Sequence, residues 1–216
     1  MKNNNKIFLG EFIATCFLVM VIVGSGIMAE NLTNDNAVRL LANTIATGAG
    51  LFVLITAFAN ISGAHLNPFV SLSMYLTKRI KGKELLTFIP AQILGCLLGV
   101  TLANVFFEHN IIELSTKNRD GFHIFLSEIV ATFGLIFIIF ATLKDGKTTV
   151  AACVATYISA GYWFTSSTSF ANPAVAIART FTDSFTGINY LNTPTYIFAE
   201  LLGAIVAIYI IKRLIK

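Results

Sequence analysis

Charge is scarce in this chain: of its 216 residues, only 12% are Asp, Glu, Lys or Arg. A soluble domain carries roughly 25%, so a large water-facing domain is excluded. Cysteine is sparser still. Cys16, Cys96 and Cys153 stand singly in apolar runs, with neither a disulfide framework nor metal-ligand spacing; they read as packed interior thiols, Cys153 remaining open to a pore-facing place. No nucleophile, metal cluster or phosphate-binding glycine loop stands out, so neither an enzyme nor a cofactor or metal is expected.

What is abundant is apolar: 56% of the residues, for a mean hydropathy of +0.76. That composition belongs to an integral membrane protein. A spanning helix needs roughly 20 apolar residues, and runs at about 7–28, 38–59, 85–107, 122–143, 148–164 and 195–214 supply six. Two more apolar stretches, about 67–75 and 172–181, are too short to cross and are expected to be re-entrant half-helices. The first run follows a basic start, yet its length and Glu11 make it a retained helix rather than a signal peptide.

Lysine and arginine set the expected orientation. With the N-terminus inside, the cytoplasmic side holds Lys2, Lys6, Lys78, Arg79, Lys81, Lys83, Lys144, Lys147, Lys212, Arg213 and Lys216, while Arg39, Lys117, Arg119 and Arg179 fall on the other. Both termini are therefore expected in the cytoplasm. The net charge of +4 reads as this topology and not as a nucleic-acid surface.

The chain also repeats itself. Glu11 in "GEFIAT" matches Glu128 in "SEIVAT", "LNPF" at 66–69 matches "ANPA" at 171–174, and Gln92 in "PAQILG" matches Glu200 in "FAELLG". The units, about 1–115 and 120–216 of one domain, each hold three spans, so the second enters the membrane inverted. Asn67-Pro68 and Asn172-Pro173 then start two half-helices that meet at the midplane, asparagine capping and proline at the first helical position. Two asparagine amides and two positive helix ends converging on a hydrated path would pass neutral hydrogen-bonding molecules and repel cations. Carboxylates within spans cost about 2.5–3.5 kcal/mol each; Glu11 and Glu128 are expected to accept backbone N–H groups of the re-entrant loops, with Gln92 and Glu200 in similar polar contacts. His65 either lines the path or hydrogen-bonds the loop.

"SGAHLNPFVSL" and "FANPAVAIAR", set in inverted halves with Glu in spans one and four, resemble the aquaporin and aquaglyceroporin family over nearly the whole chain. The resemblance implies an all-α bundle of six transmembrane helices plus two re-entrant half-helices, a homotetramer in membrane lipid with one passive pore per subunit. Two departures stand out. Phe69 occupies a place the family gives to alanine, altering packing at the waist, and Val175 occupies the place of the family's filter arginine. Family spacing assigns the remaining filter positions to Thr47, Ala160 and Ser169, with Gly161 or Tyr162 as alternatives to Ala160. A filter of such small, nearly uncharged side chains is wide, which implies passage of uncharged polyol-sized solutes as well as water. The Val-type motif also resembles bacterial channels associated with metalloid handling, which implies neutral arsenite as a solute and a bacterial inner or plasma membrane.

Arg179 lies four residues beyond Val175, one turn on and on nearly the same face. It either guards the outer vestibule or pairs with Asp183 or a loop carbonyl. Rival readings are a water-selective pore, an ion-coupled secondary transporter, which would need a coupling-ion site, and a non-conducting structural membrane protein.

Overall fold

The computed structural model describes residues 4–214; Lys2 and Lys216, used for orientation, lie outside the described residues. Six long helices and two short ones follow in order: α1 (Asn4–Leu32), α2 (Asn36–Phe58), α3 (Pro68–Leu76), α4 (Gly82–Phe106), α5 (Phe122–Thr142), α6 (Lys147–Phe164), α7 (Pro173–Arg179) and α8 (Thr193–Leu214). The bundle is all-helical among the described residues, as the apolar runs predict. Helix ends, however, follow caps rather than hydropathy. Asp35 starts α2 by accepting the Ala37 and Val38 N–H groups at 2.7 and 3.1 Å, while Glu84 reaches back to the Lys81 N–H at 2.7 Å to start α4. Asparagine at the N-cap with proline following starts both α3 and α7, the arrangement that wastes no backbone donor.

Five of the long helices, all but α6, are long and apolar enough to cross a membrane. Shortfall in α6 is one of polarity: its 18 residues reach roughly 27 Å, enough for a short span, yet include Lys147, Thr148, Thr149 and Thr156. It packs between α2 and α5, while Thr149 and Thr156 satisfy their hydroxyls on the carbonyls of Asp145 and Ala152, four residues back. Large apolar side chains such as Leu9, Phe17, Phe198 and Ile205 stand exposed on the bundle surface. An apolar exterior over a helical bundle suits lipid and not water, and the chain is a multi-pass membrane protein.

Two tight pairings organise the interior, α1 on α4 and α5 on α8. Glycine makes them possible. A Cβ at Gly95 would collide with the Phe12 carbonyl, at Gly99 with the Cys16 carbonyl, and at Gly203 with the Ile129 carbonyl; because these walls are backbone, no rotamer change relieves them. Helices in lipid associate through such close approach. Gly95→Ala is therefore expected to destabilise the fold by at least the roughly 1–3 kcal/mol of ordinary overpacking, seen as a lowered melting temperature in detergent. An unchanged melting temperature would show that α1 and α4 can move apart freely. Cys16 and Cys96 are buried in this interior, and Cys153 is partly buried.

Candidate functional site

The half-helices α3 and α7 touch at their N-terminal ends, and their asparagines are wired across the contact. Asn67 Nδ2 donates to the Ala171 carbonyl at 2.6 Å, and Asn172 Nδ2 donates to the Leu66 carbonyl at 2.8 Å. Each Oδ1 is occupied by its own helix cap, accepting from Phe69 N at 2.8 Å and from Ala174 N at 3.1 Å. An asparagine amide has two N–H donors. With one used across the contact and the oxygen used on the cap, a single N–H per asparagine is left for whatever occupies the space between them.

Loops leading into these asparagines carry matching backbone conformations. Ala64 and Leu66 before Asn67, and Ser169 and Ala171 before Asn172, all have φ between 46° and 52°. Non-glycine residues avoid this left-handed region, at about 1–3 kcal/mol each where the surroundings enforce it. Buried carboxylates enforce it here. Glu11 Oε1 accepts from His65 N at 3.1 Å and Ser62 Oγ at 2.6 Å, and its Oε2 accepts from Leu66 N at 2.7 Å and Gln92 Nε2 at 2.8 Å. Glu128 accepts from Phe170 N at 3.0 Å and Ala171 N at 2.8 Å, and Glu200 from Asn172 N at 2.9 Å. With the N–H groups turned onto these carboxylates, the loops keep their carbonyls for each other and for the space they border.

That space is a cavity of about 400 Å³, bordered at one end by Arg79 and Lys147 and at the other by Tyr162 and Arg179. Both asparagines line it, with His65, Leu66, Ser169 and Ala171 from the loops. His65 is held flat on Phe88, ring centroids 4.1 Å apart, with Nδ1 3.0 Å from Ser71 Oγ. Opposite the loops the wall is aliphatic, including Leu51, Ile55, Leu135 and Ile139. Among the described residues no carboxylate borders the cavity.

The predicted filter residues divide. Thr47, Ser169 and Val175 border the cavity, as does Tyr162. Ala160 does not: it is exposed, and the alternative Tyr162 takes that place, its hydroxyl donating to Thr47 Oγ1 at 3.1 Å. The reason is helical phase. Val150, Val154, Ile158 and Tyr162 all border the cavity, a strict four-residue stripe on one face of α6, and Ala160 lies half a turn off it. Gly161 packs against Ser169 instead, with no room for a Cβ. Phe69 also misses the cavity, since Val70 and Met74 face it from α3 and Phe69 packs into the core. Cys153 does not border the cavity either.

Arg179 borders the cavity although it is almost fully buried. Its Nε donates to the Thr186 carbonyl, and its guanidinium lies 3.5 Å from the centre of the Phe170 ring, a cation–π contact. It is not paired with Asp183, which accepts instead from Thr116 N at 2.9 Å and Thr116 Oγ1 at 3.1 Å. Residues not placed at the site by the sequence complete this mouth. Arg119 donates from Nε to Gly187 O at 2.8 Å and from Nη2 to Phe185 O at 3.0 Å; burial pushes its guanidinium below the ordinary arginine range. Glu30 accepts from Phe185 N at 2.7 Å and lies 3.5 Å from Lys117 Nζ. These contacts fix the loop whose carbonyl holds Arg179. Their one sequence signal is charge, in the last turn of α1 for Glu30 and in a loop of small and polar residues for Arg119.

Known proteins share this plan. The family described as major intrinsic protein matches residues 1–165. Aquaglyceroporin AqpS of Rhizobium meliloti is 46% identical over 208 residues, 96% of this chain and 89% of that protein. Aquaporin TIP1-2 of Musa acuminata is 36% identical over 149 residues, 66% of this chain and 58% of that one. In fold, the aquaglyceroporin of Plasmodium falciparum superposes with a TM-score of 0.81 at 20% identity, covering 99% of this chain and 97% of that one. With the matched family spanning three quarters of its length and a near-full-length relative at 46% identity, the chain belongs to the major intrinsic protein family of passive membrane channels.

Proposed function

We propose that the cavity is a passive path for small uncharged solutes, glycerol-like polyols and neutral metalloid hydroxides such as arsenite, together with water. The observation that carries this is the two-sided lining: loop carbonyls and asparagine N–H groups along one side, aliphatic side chains along the other. A polyol has the same two sides, hydroxyls on one edge and C–H on the other. Neutral arsenite, a trihydroxy molecule, offers similar hydroxyl geometry. A similar protein bearing the name aquaglyceroporin supports the polyol class.

Thr47, Tyr162, Ser169 and Val175 form the filter of this reading, and Asn67, Pro68, Asn172 and Pro173 its waist. An ion-coupled transporter is disfavoured because the buried carboxylates are spent on backbone N–H groups and none borders the cavity. This reading assigns the chain no chemical step. Since the path lies within one chain, a homotetramer would carry a separate path in each subunit. The two halves are read as inverted repeats, with Lys6, Lys78, Arg79, Lys144, Lys147 and Lys212 on the cytoplasmic side together with both termini. The membrane is read as a bacterial inner or plasma membrane.

Light scattering from proteoliposomes tests the reading. Osmotic shrinkage should be followed by re-swelling in glycerol, urea and arsenite; water flux without entry of glycerol or arsenite leaves a water channel and overturns the wider filter. Arg179→Ala, which removes a positive charge from the mouth, is expected to keep glycerol entry and raise cation leak several-fold. Unchanged leak would restrict Arg179 to its structural bond with Thr186.

A further inference from the structure

Glu128 and Glu200 are both completely buried and grip consecutive backbone N–H groups of one loop, Glu128 those of Phe170 and Ala171 and Glu200 that of Asn172, which sets the two carboxyl groups side by side. Two ionised carboxylates so placed, out of reach of water, repel each other. Their donors are unevenly divided. Glu128 accepts the Phe170 and Ala171 N–H groups, one on each oxygen. Glu200 accepts only the Asn172 N–H, on Oε1, and its Oε2 has no donor. The α1–α4 pairing has a different solution at the corresponding contact: Glu11 meets the amide of Gln92, whose Nε2 supplies the donor at 2.8 Å.

We propose that Glu128 and Glu200 share one proton, Glu200 Oε2–H donating to the Glu128 carboxylate, so that Glu200 positions the Asn172 loop as a neutral acid in the role that Gln92 fills opposite Glu11. One proton removes the repulsion between like charges in contact and turns the orphaned Oε2 into a donor. No ionised alternative does both. The charged groups acting on the pair are Arg179 and Arg119, and the nearby phenols are Tyr157 and Tyr196. With one proton held, one carboxylate rather than two offsets the positive charge of Arg179, which borders the cavity. Full ionisation would weaken that charge further.

Infrared spectra of the purified protein in an ester-free detergent test the proposal independently of which solute passes. At neutral pH the wild type should show the carbonyl stretch of an un-ionised carboxylic acid. Glu200→Gln should abolish it without removing carboxylate intensity, keep the wild-type melting temperature, and leave both glycerol entry and cation exclusion unchanged. Glu128→Gln should fold poorly, because one amide cannot accept from both Phe170 N and Ala171 N. Absence of the acid band from the wild type, or loss of carboxylate intensity in Glu200→Gln, overturns the shared proton. The wild-type spectrum decides alone should Glu200→Gln fail to accumulate.

Discussion

Glu11→Leu is expected to abolish folding. Leucine fills nearly the same volume but accepts nothing, and four donors lose their acceptor together: Ser62 Oγ, His65 N, Leu66 N and Gln92 Nε2. A buried donor left unsatisfied costs about 1–3 kcal/mol, and the left-handed conformation of Leu66 loses the bond that holds it, at a similar cost. Against a native stability of about 5–15 kcal/mol, the sum removes the folded state or most of it. Water entering from the cavity can satisfy His65 N, which belongs to a residue on the cavity wall; it cannot readily reach Gln92, which is fully buried. Glu11→Gln should be intermediate, since its carbonyl can still serve Ser62 and His65 while its own N–H groups face the donors on Leu66 and Gln92. Yield of monodisperse protein and melting temperature in detergent measure both variants. A Glu11→Leu protein that melts with the wild type would mean the loop is held by its packing alone.

This dependence explains what could and could not be read from the chain. Asn67-Pro68 and Asn172-Pro173 were legible because a cap and a helix-starting proline act on their immediate neighbours, and α3 and α7 start there. The left-handed residues were not. Leu66 and Ala171 have no local preference for that conformation, and their N–H groups bond carboxylates 55 and 43 positions away; Ala64 and Ser169 donate to the Ser62 and Ser167 hydroxyls two residues back, which periodicity does not reveal. Ala160 misses the cavity, which the alternative Tyr162 borders, for a different reason. Counting back from Asn172 crosses the irregular segment at 165–172, in which residues do not advance at a helical rate, so the count reached Ala160. The stripe of Val150, Val154, Ile158 and Tyr162 marks the cavity-facing side of α6 and depends only on α6 itself. Arg119 and Glu30 lie in or beside loops, and their meeting with Phe185 is a long-range contact that no periodicity records.

Val175→Arg is expected to close the path to polyols while sparing much of the water flux. Val175 is buried, borders the cavity, and lies on the same end of α7 as the Asn172 cap that its own N–H approaches. An arginine there extends towards Thr47 and Tyr162, whose side chains are already bonded to each other at 3.1 Å and have little freedom to withdraw. It also stands four residues before Arg179, where like charges repel. Arg179 cannot easily yield, being stacked on Phe170 and bonded to Thr186. The new guanidinium is therefore driven into the cavity, which it both narrows and charges. An added barrier of only about 1.4 kcal/mol lowers a rate about tenfold, so glycerol and arsenite entry should fall by at least that factor. Val175→Leu separates the causes: it adds bulk without charge and should reduce glycerol entry less, leaving cation leak unchanged. If glycerol enters the Val175→Arg channel at the wild-type rate, the constriction lies elsewhere along the cavity, and Val175 loses its place in the filter.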